Sequence, residues 1–135
     1  MSDFSTYTAD QVADWMSQGT VATPPNNLYI ALFDDTGTEV SGDFANDRVT
    51  TTTGTDWGFS DAEGTNFQNA NEINFGAASV DVNNIQDVAL YDDTLANGGN
   101  EIARYTIDDA PFSVASGSEL SFNAGNLSFN VVQRT

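Results

Sequence analysis

The sequence predicts an all-β fold, an antiparallel β-sandwich or jelly-roll-like domain carrying one short N-terminal helix. Three observations carry that expectation. Residues 28–33, Leu28-Tyr29-Ile30-Ala31-Leu32-Phe33, are an unbroken apolar run closed by Asp34-Asp35-Thr36-Gly37, which reads as a strand covered on both faces. About eight short β-forming segments lie along the chain with Asn, Asp and Gly clusters between them, the spacing of sandwiches and barrels. Helical periodicity occurs only once, before residue 20.

In chain order, Thr8-Ala9-Asp10-Gln11 has the form of a capping box with Thr8 as N-cap. Val12, Trp15 and Met16 then fall at i, i+3 and i+4, and Gly19 supplies a stop, so a helix over about residues 9–18 is expected. Its Trp15 needs something to cover, either the chain's own sheet or a neighbouring subunit. Residues 23–27, with Pro24-Pro25, form an extended segment and turn. In the strand that follows, Leu28, Ile30 and Leu32 point one way and Tyr29, Ala31 and Phe33 the other. Two apolar faces call for cover on both sides, from a second sheet, a helix or another subunit. Residues 1–27 are accordingly read as helix and linker of the same unit as a β-sandwich domain over 28–135.

Residues 48–53 are rich in β-branched side chains and read as a strand. Residues 54–64, with Trp57 and Phe59, read as a loop that either tucks its aromatics beneath itself or presents them as a recognition tip. Ile73 and Phe75 alternate inward, and residues 85–91 form the next strand. Ala96-Asn97-Gly98-Gly99-Asn100 has the composition of a hairpin connection to a partner over residues 102–107. Short strands are expected around Phe112 and Val114 and over residues 120–122. The last, residues 127–132, places Leu127, Phe129 and Val131 inward.

Composition removes whole classes of function. The 135 residues suit one domain with a real core, and they include no cysteine and no histidine. Disulfides, thiol nucleophiles, imidazole bases and the usual zinc sites are therefore excluded. Twenty acids stand against three arginines, Arg48, Arg104 and Arg134, with no lysine and a net charge of −17. Phosphate contacts need clustered basic residues, so no nucleic-acid partner is expected. No apolar run approaches the ~20 residues of a membrane span, and Met1-Ser2-Asp3-Phe4 does not open a signal peptide, so synthesis in the cytoplasm without membrane insertion is expected.

Nine Phe, four Tyr and two Trp mark a folded chain rather than an acidic tail. Fifteen of the acids are Asp, and lysine is avoided. That pattern suits high salt, where a Debye length of ~3 Å near 1 M screens carboxylate repulsion.

Asp34/Asp35, Asp92/Asp93 and Asp108/Asp109 are the possible acid–base groups, and each pair sits where a strand ends. Glycoside hydrolysis needs two carboxylates about 5–10 Å apart in a sugar-sized cleft, and nothing marks such a pair, so the chain is read as non-enzymatic and without cofactor. Asp92, Asp93, Asn97, Asn100 and Glu101 are weak candidates for a Ca²⁺ or Mg²⁺ site, without the EF-hand spacing. The arginines are expected to pair with acids. Trp15, Tyr29 and Phe33 are the aromatics expected on an outer face or subunit seam.

The order of segments adds a resemblance. Pro24-Pro25 before residues 28–33, Thr38-Glu39-Val40-Ser41-Gly42, Ile73-Asn74-Phe75, Val88-Ala89-Leu90-Tyr91-Asp92, Gly98-Gly99 and residues 117–127 fall in the places where a family of small tailed-phage proteins has its own motifs. Members read "PP-x-LYVALF", "GTEVSGGGYARQAV", "I-x-F", "FGIYD" with "GG" after it, and "GD-x-x-x-F-x-AG-x-L"; the chain resembles these so-called tail fibre proteins. Two departures stand out. The family's aromatic-Ala-Arg step is two residues longer here, Phe44-Ala45-Asn46-Asp47-Arg48, and the family is far less acidic.

The resemblance implies a structural protein of the virion, in the tail as a fibre component or on the capsid as a decoration. It further implies a homo-oligomer that meets other virion proteins and a host surface glycoprotein or glycan. The acid excess points to a virus of a halophilic archaeon. A carbohydrate-binding module or glycan-active protein is the alternative, to be marked by an exposed coplanar platform of Trp57 and Phe59. A stand-alone halophilic protein, marked by a monomeric state, is the third reading.

Overall fold

The structure, a computed structural model, describes residues 3–20, 23–59 and 66–130. Among the described residues one helix, α1 (Thr6–Gln18), precedes ten strands: β1 (Asn27–Asp34), β2 (Val49–Thr52), β3 (Trp57–Phe59), β4 (Asn66–Asn69), β5 (Ile73–Ala77), β6 (Val82–Tyr91), β7 (Glu101–Thr106), β8 (Phe112–Val114), β9 (Glu119–Phe122) and β10 (Ser128–Asn130). Every strand pairing is antiparallel, as the sequence predicts.

The large sheet runs β2-β1-β6-β7, with β8 pairing the first part of β6. Two small sheets, β10-β4-β3 and β5-β9, lie over its inner face. Period-two alternation makes this packing possible. Ile30, Leu32, Val88 and Leu90 of the large sheet share one core with Ile73, Phe75, Phe122 and Phe129 of the small ones. Phe129 is fully buried and sits at the centre of an aromatic cluster, 4.9 Å from the Tyr105 ring, 5.4 Å from Phe67 and 5.9 Å from Trp57.

The N-terminal segment stitches the layers together. Asp3 N–H donates to the Asn130 carbonyl and the Asp3 carboxylate accepts from Asn130 N–H, while Arg104 N–H donates to the Asp3 carbonyl. Phe4 bridges to Ala103, so the edge of β7 is covered by the chain itself.

Two boundaries differ from expectation. The helix starts at Thr6 with Ser5, not Thr8, as its N-cap: Ser5 Oγ accepts from Thr8 N–H at 3.2 Å. The reason is tertiary, because the Ser5 hydroxyl also donates to the Glu101 carbonyl and Thr8 Oγ1 donates to the Ile102 carbonyl at 2.9 Å. Anchoring on β7 thus outweighs the weak helix propensity of Thr6 and Tyr7.

The segment expected as a loop at 54–64 contains β3, and β4 follows it as an unexpected partner. Its end at residues 60–64, the expected Val131 and Val132, and Arg134 lie outside the described residues. Asn69 is fully buried in β4, donating to the carbonyls of Asn71 and Asn123 and accepting from Leu127 N–H, so an amide stands in for missing backbone partners.

Candidate functional site

The outer face of the large sheet is where the sequence calls for a cover it does not name. Ala31 and Ala89 are cross-strand partners, and Arg104 stands opposite Ala89 on β7. Val49 pairs with Ile30, so Arg48 lies one step along, beside Ala31. Two methyl groups between two arginines leave room for the guanidiniums to fold down over the sheet. The Arg104 guanidinium lies 3.7 Å from the Phe33 ring centre and that of Arg48 lies 4.0 Å from the Tyr91 ring centre, and the two rings are themselves stacked. Phe33 is left 6% exposed and Ala31 and Ala89 fully buried. The cover expected from a second sheet, a helix or another subunit is in fact provided by arginines of the same chain.

Each arginine is tied down. Arg48 Nε and Nη2 bond the two carboxylate oxygens of Glu39 at 2.9 and 2.7 Å, with both side chains out of solvent. Its Nη1 donates to the carbonyls of Asp93 and Gly98, and Glu39 also accepts from Asn97 N–H. The hairpin turn at 92–100 is therefore wrapped around Arg48. Arg104 is partly exposed and bonds Glu101 at 2.7 Å, with Asp87 3.7 Å away.

These surroundings shift the ionisable groups. Burial disfavours the charge on Arg104, but its bond to Glu101 and the charge beside it win, holding its pKa above the ordinary value. Burial first, and the Glu101 charge second, raise the Tyr91 phenol, while burial pushes Tyr105 up to about 12. An unfolded tyrosine titrates near ~10, so above that pH the unfolded chain gives up protons that the folded chain keeps. The stabilisation is present below pH ~10 and declines as pH rises toward the folded values. Alkaline titration is expected to show part of the phenolate absorbance rising together with loss of β-sheet circular dichroism. A phenolate signal that is complete before any sheet is lost would contradict this.

The metal candidates do not converge. Asp92 accepts from Asn100 N–H and side-chain amide, Asp93 accepts from Leu95 N–H, Asn97 gives its N–H to Glu39, and Glu101 holds Arg104. Among the described residues no group of three or more such ligands could hold a metal ion. Asp34 closes the β1 turn: bonds first from the Thr36 hydroxyl, then from Thr38 N–H, hold its carboxyl below the usual carboxylate range.

The aromatic residues separate into distinct places. Trp57 is tucked: its indole N–H donates to Thr51 Oγ1 at 2.8 Å, and its ring meets Phe67 edge-on at 72°. Phe59 is 75% exposed, whereas Trp57 is only half-buried with its indole N–H and ring edge already engaged, so the pair is not the jointly exposed platform expected for a sugar. Tyr29 is half-buried on the outer face, and Phe33 lies beneath Arg104 with little surface to offer.

Trp15 is different. Helix α1 has no buried residue, and Val12, Trp15 and Met16 are 45, 59 and 77% exposed. Only the first turn is fastened to β7, so the stripe that the sequence marks as a covering surface covers little in this chain.

Beside it runs an apolar cleft of about 370 Å³ between α1 and the proline segment, lined by Tyr7, Gln11, Pro24, Pro25, Leu28 and Ile102 among others. A smaller cleft of about 200 Å³ shares Leu28 and Thr53 with it and continues to Trp57, Phe59 and Phe67. Exposed helix stripe, clefts and Phe59 thus form a neighbouring series of apolar surface. The sequence pattern singles out Trp15 and Phe59, but the groove between them comes from long-range packing that no local pattern reports.

The family model described as podophage GP4 fiber I protein gp80 matches residues 3–130. No curated protein matches the chain.

Proposed function

The chain belongs to the podophage GP4 fiber I protein gp80 family, which makes it a structural tail-fibre protein of a tailed virion, and we propose that it works as a homo-oligomer adapted to high salt, in a virus of a halophilic archaeon. The observation that carries the oligomer is the α1 stripe, with Trp15 and Met16 more than half exposed although the sequence builds them as a covering face. The net charge of −17 with no lysine supports the high-salt setting. Residues 1–27 and 28–135 act as one unit in this reading, because residues 3–8 hydrogen-bond to both β7 and β10.

The reading is non-enzymatic: the carboxylates nearest to a cluster hold turns and arginines. Its partners are further copies of the chain, other virion proteins and, at the paired strands β3 and β4 around Phe59, a host surface glycoprotein or glycan. The family supports a place in the tail over a capsid decoration.

Antibody labelling of purified virions tests the assignment. Label on the tail is the expected result, and absence of the chain from virions contradicts it. Dialysis from about 2–3 M salt into dilute buffer tests the adaptation, since exposed carboxylates are then no longer screened. Dissociation and a lowered melting temperature are expected; undiminished stability without salt contradicts the halophilic reading.

A further inference from the structure

We propose that the apolar series from Val12, Trp15 and Met16 through the cleft beside Pro24 and Pro25 to Phe59 is where a second copy of the chain docks, the Trp15–Met16 end of one helix entering the cleft of the next copy. The proposal rests on the fibre reading and supplies its contact.

Size is the first argument. Large aromatic side chains bury ~150–250 Å² each. Trp15 at 59% and Phe59 at 75% exposure, with Met16 and Val12 beside them, therefore offer on the order of 400 Å² of apolar surface. That is roughly half of the ~800 Å² per partner that a stable interface buries, and the walls of the two clefts add to it. The main cleft, about 370 Å³, falls within the ~300–1,000 Å³ of clefts that enclose a compact ligand, which suits an indole and a thioether. The Trp15 of the same chain does not fill it, because that ring is exposed.

Charge is the second argument, and it chooses the occupant. The chain carries twenty acids, yet among the described residues those lining the two clefts include only one, Asp92, and its carboxylate is engaged by Asn100. A basic partner would be met by acids, and among the described cleft-lining residues only Asp92 is one. A second copy brings the apolar Val12, Trp15 and Met16; the exposed acids of its helix, Asp10 and Asp14, fall on the other side of α1 by helical spacing, Asp14 accepting from Gln18, and salt screens their repulsion. Association should therefore strengthen with salt. Because helix end meets cleft, the contact is head-to-tail and repeats until a ring closes.

Sedimentation of the purified full chain in about 2–3 M salt, where exposed charges are screened, tests this with two variants. One, Trp15→Ser with Met16→Ser, lacks the entering end but keeps the cleft. The other, Gln11→Trp, fills the cleft but keeps the entering end. Wild type is expected to be oligomeric, each variant alone monomeric with an unchanged melting temperature, and an equimolar mixture dimeric, since only one productive contact remains. Variants that assemble like wild type, or a mixture that stays monomeric, overturn the proposal. A wild-type monomer at every salt concentration overturns it too, and leaves the fibre assignment standing if the chain is found in virions.

Discussion

Replacing Arg48 with methionine is expected to lower stability by about 3–5 kcal/mol, the cost of leaving a buried partner charge uncompensated. For a chain of this length that corresponds to a fall in melting temperature on the order of 10–20 °C. The loss is large because one side chain performs several tasks. Arg48 satisfies both oxygens of a buried Glu39, holds the carbonyls of Asp93 and Gly98, and covers the Tyr91 ring. Arg48→Lys keeps the charge but not the planar fork, and is expected to recover only part of the loss. Arg48→Met with Glu39→Leu removes both charges and is expected to be much closer to wild type than Arg48→Met alone. Salt provides the decisive control. An exposed pair loses its value at about 2–3 M salt, whereas a desolvated one is screened little, so the Arg48→Met deficit should persist there. A deficit that vanishes in high salt would show that the pair is reached by solvent.

Phe129→Ala is the second large effect, about 3–5 kcal/mol by the usual cost of emptying a buried aromatic site. Phe129 is the one large side chain of the three-residue β10, and it touches Tyr105 on β7, Phe67 on β4 and Trp57 on β3. Its removal therefore loosens both layers at once, and Trp57 fluorescence should report the change. Phe59→Ala is the matched control: Phe59 is 75% exposed, and its truncation is expected to change the melting temperature little. Equal losses for the two variants, measured by thermal unfolding, would contradict the placement of the core.

Much of the fold was legible because it is written in local pattern. The run from Leu28 to Phe33 and the alternation of Leu127, Ser128 and Phe129 carry their own period: the first folds as β1, and the second leads into β10 with Leu127 and Phe129 buried and Ser128 exposed. Strand β4 was not legible. Asn66-Phe67-Gln68-Asn69 has a single apolar residue, and what holds it is the buried amide of Asn69 reaching to Asn123 and Leu127. The arginine cover was hidden for a different reason, since register across distant strands decides that Arg48 and Arg104 flank Ala31 and Ala89. One signal was available: a small residue inside a bulky run, Ala31 between Ile30 and Leu32 and Ala89 between Val88 and Leu90, leaves space for a large neighbour. Trp15 was legible as a residue in need of a partner, and the structure sharpens that need by leaving the helix stripe exposed.

With the outer face of the large sheet closed by the chain's own arginines, the proposed assembly falls to α1. Hydroxyl-radical footprinting of the monomeric and assembled chain in high salt measures this side chain by side chain. Oxidation of Trp15 and Met16 is expected to drop on assembly while that of Tyr29 and Tyr91 stays the same. Protection of Tyr29 and Tyr91 with Met16 still freely oxidised would place the seam on the sheet and contradict the account.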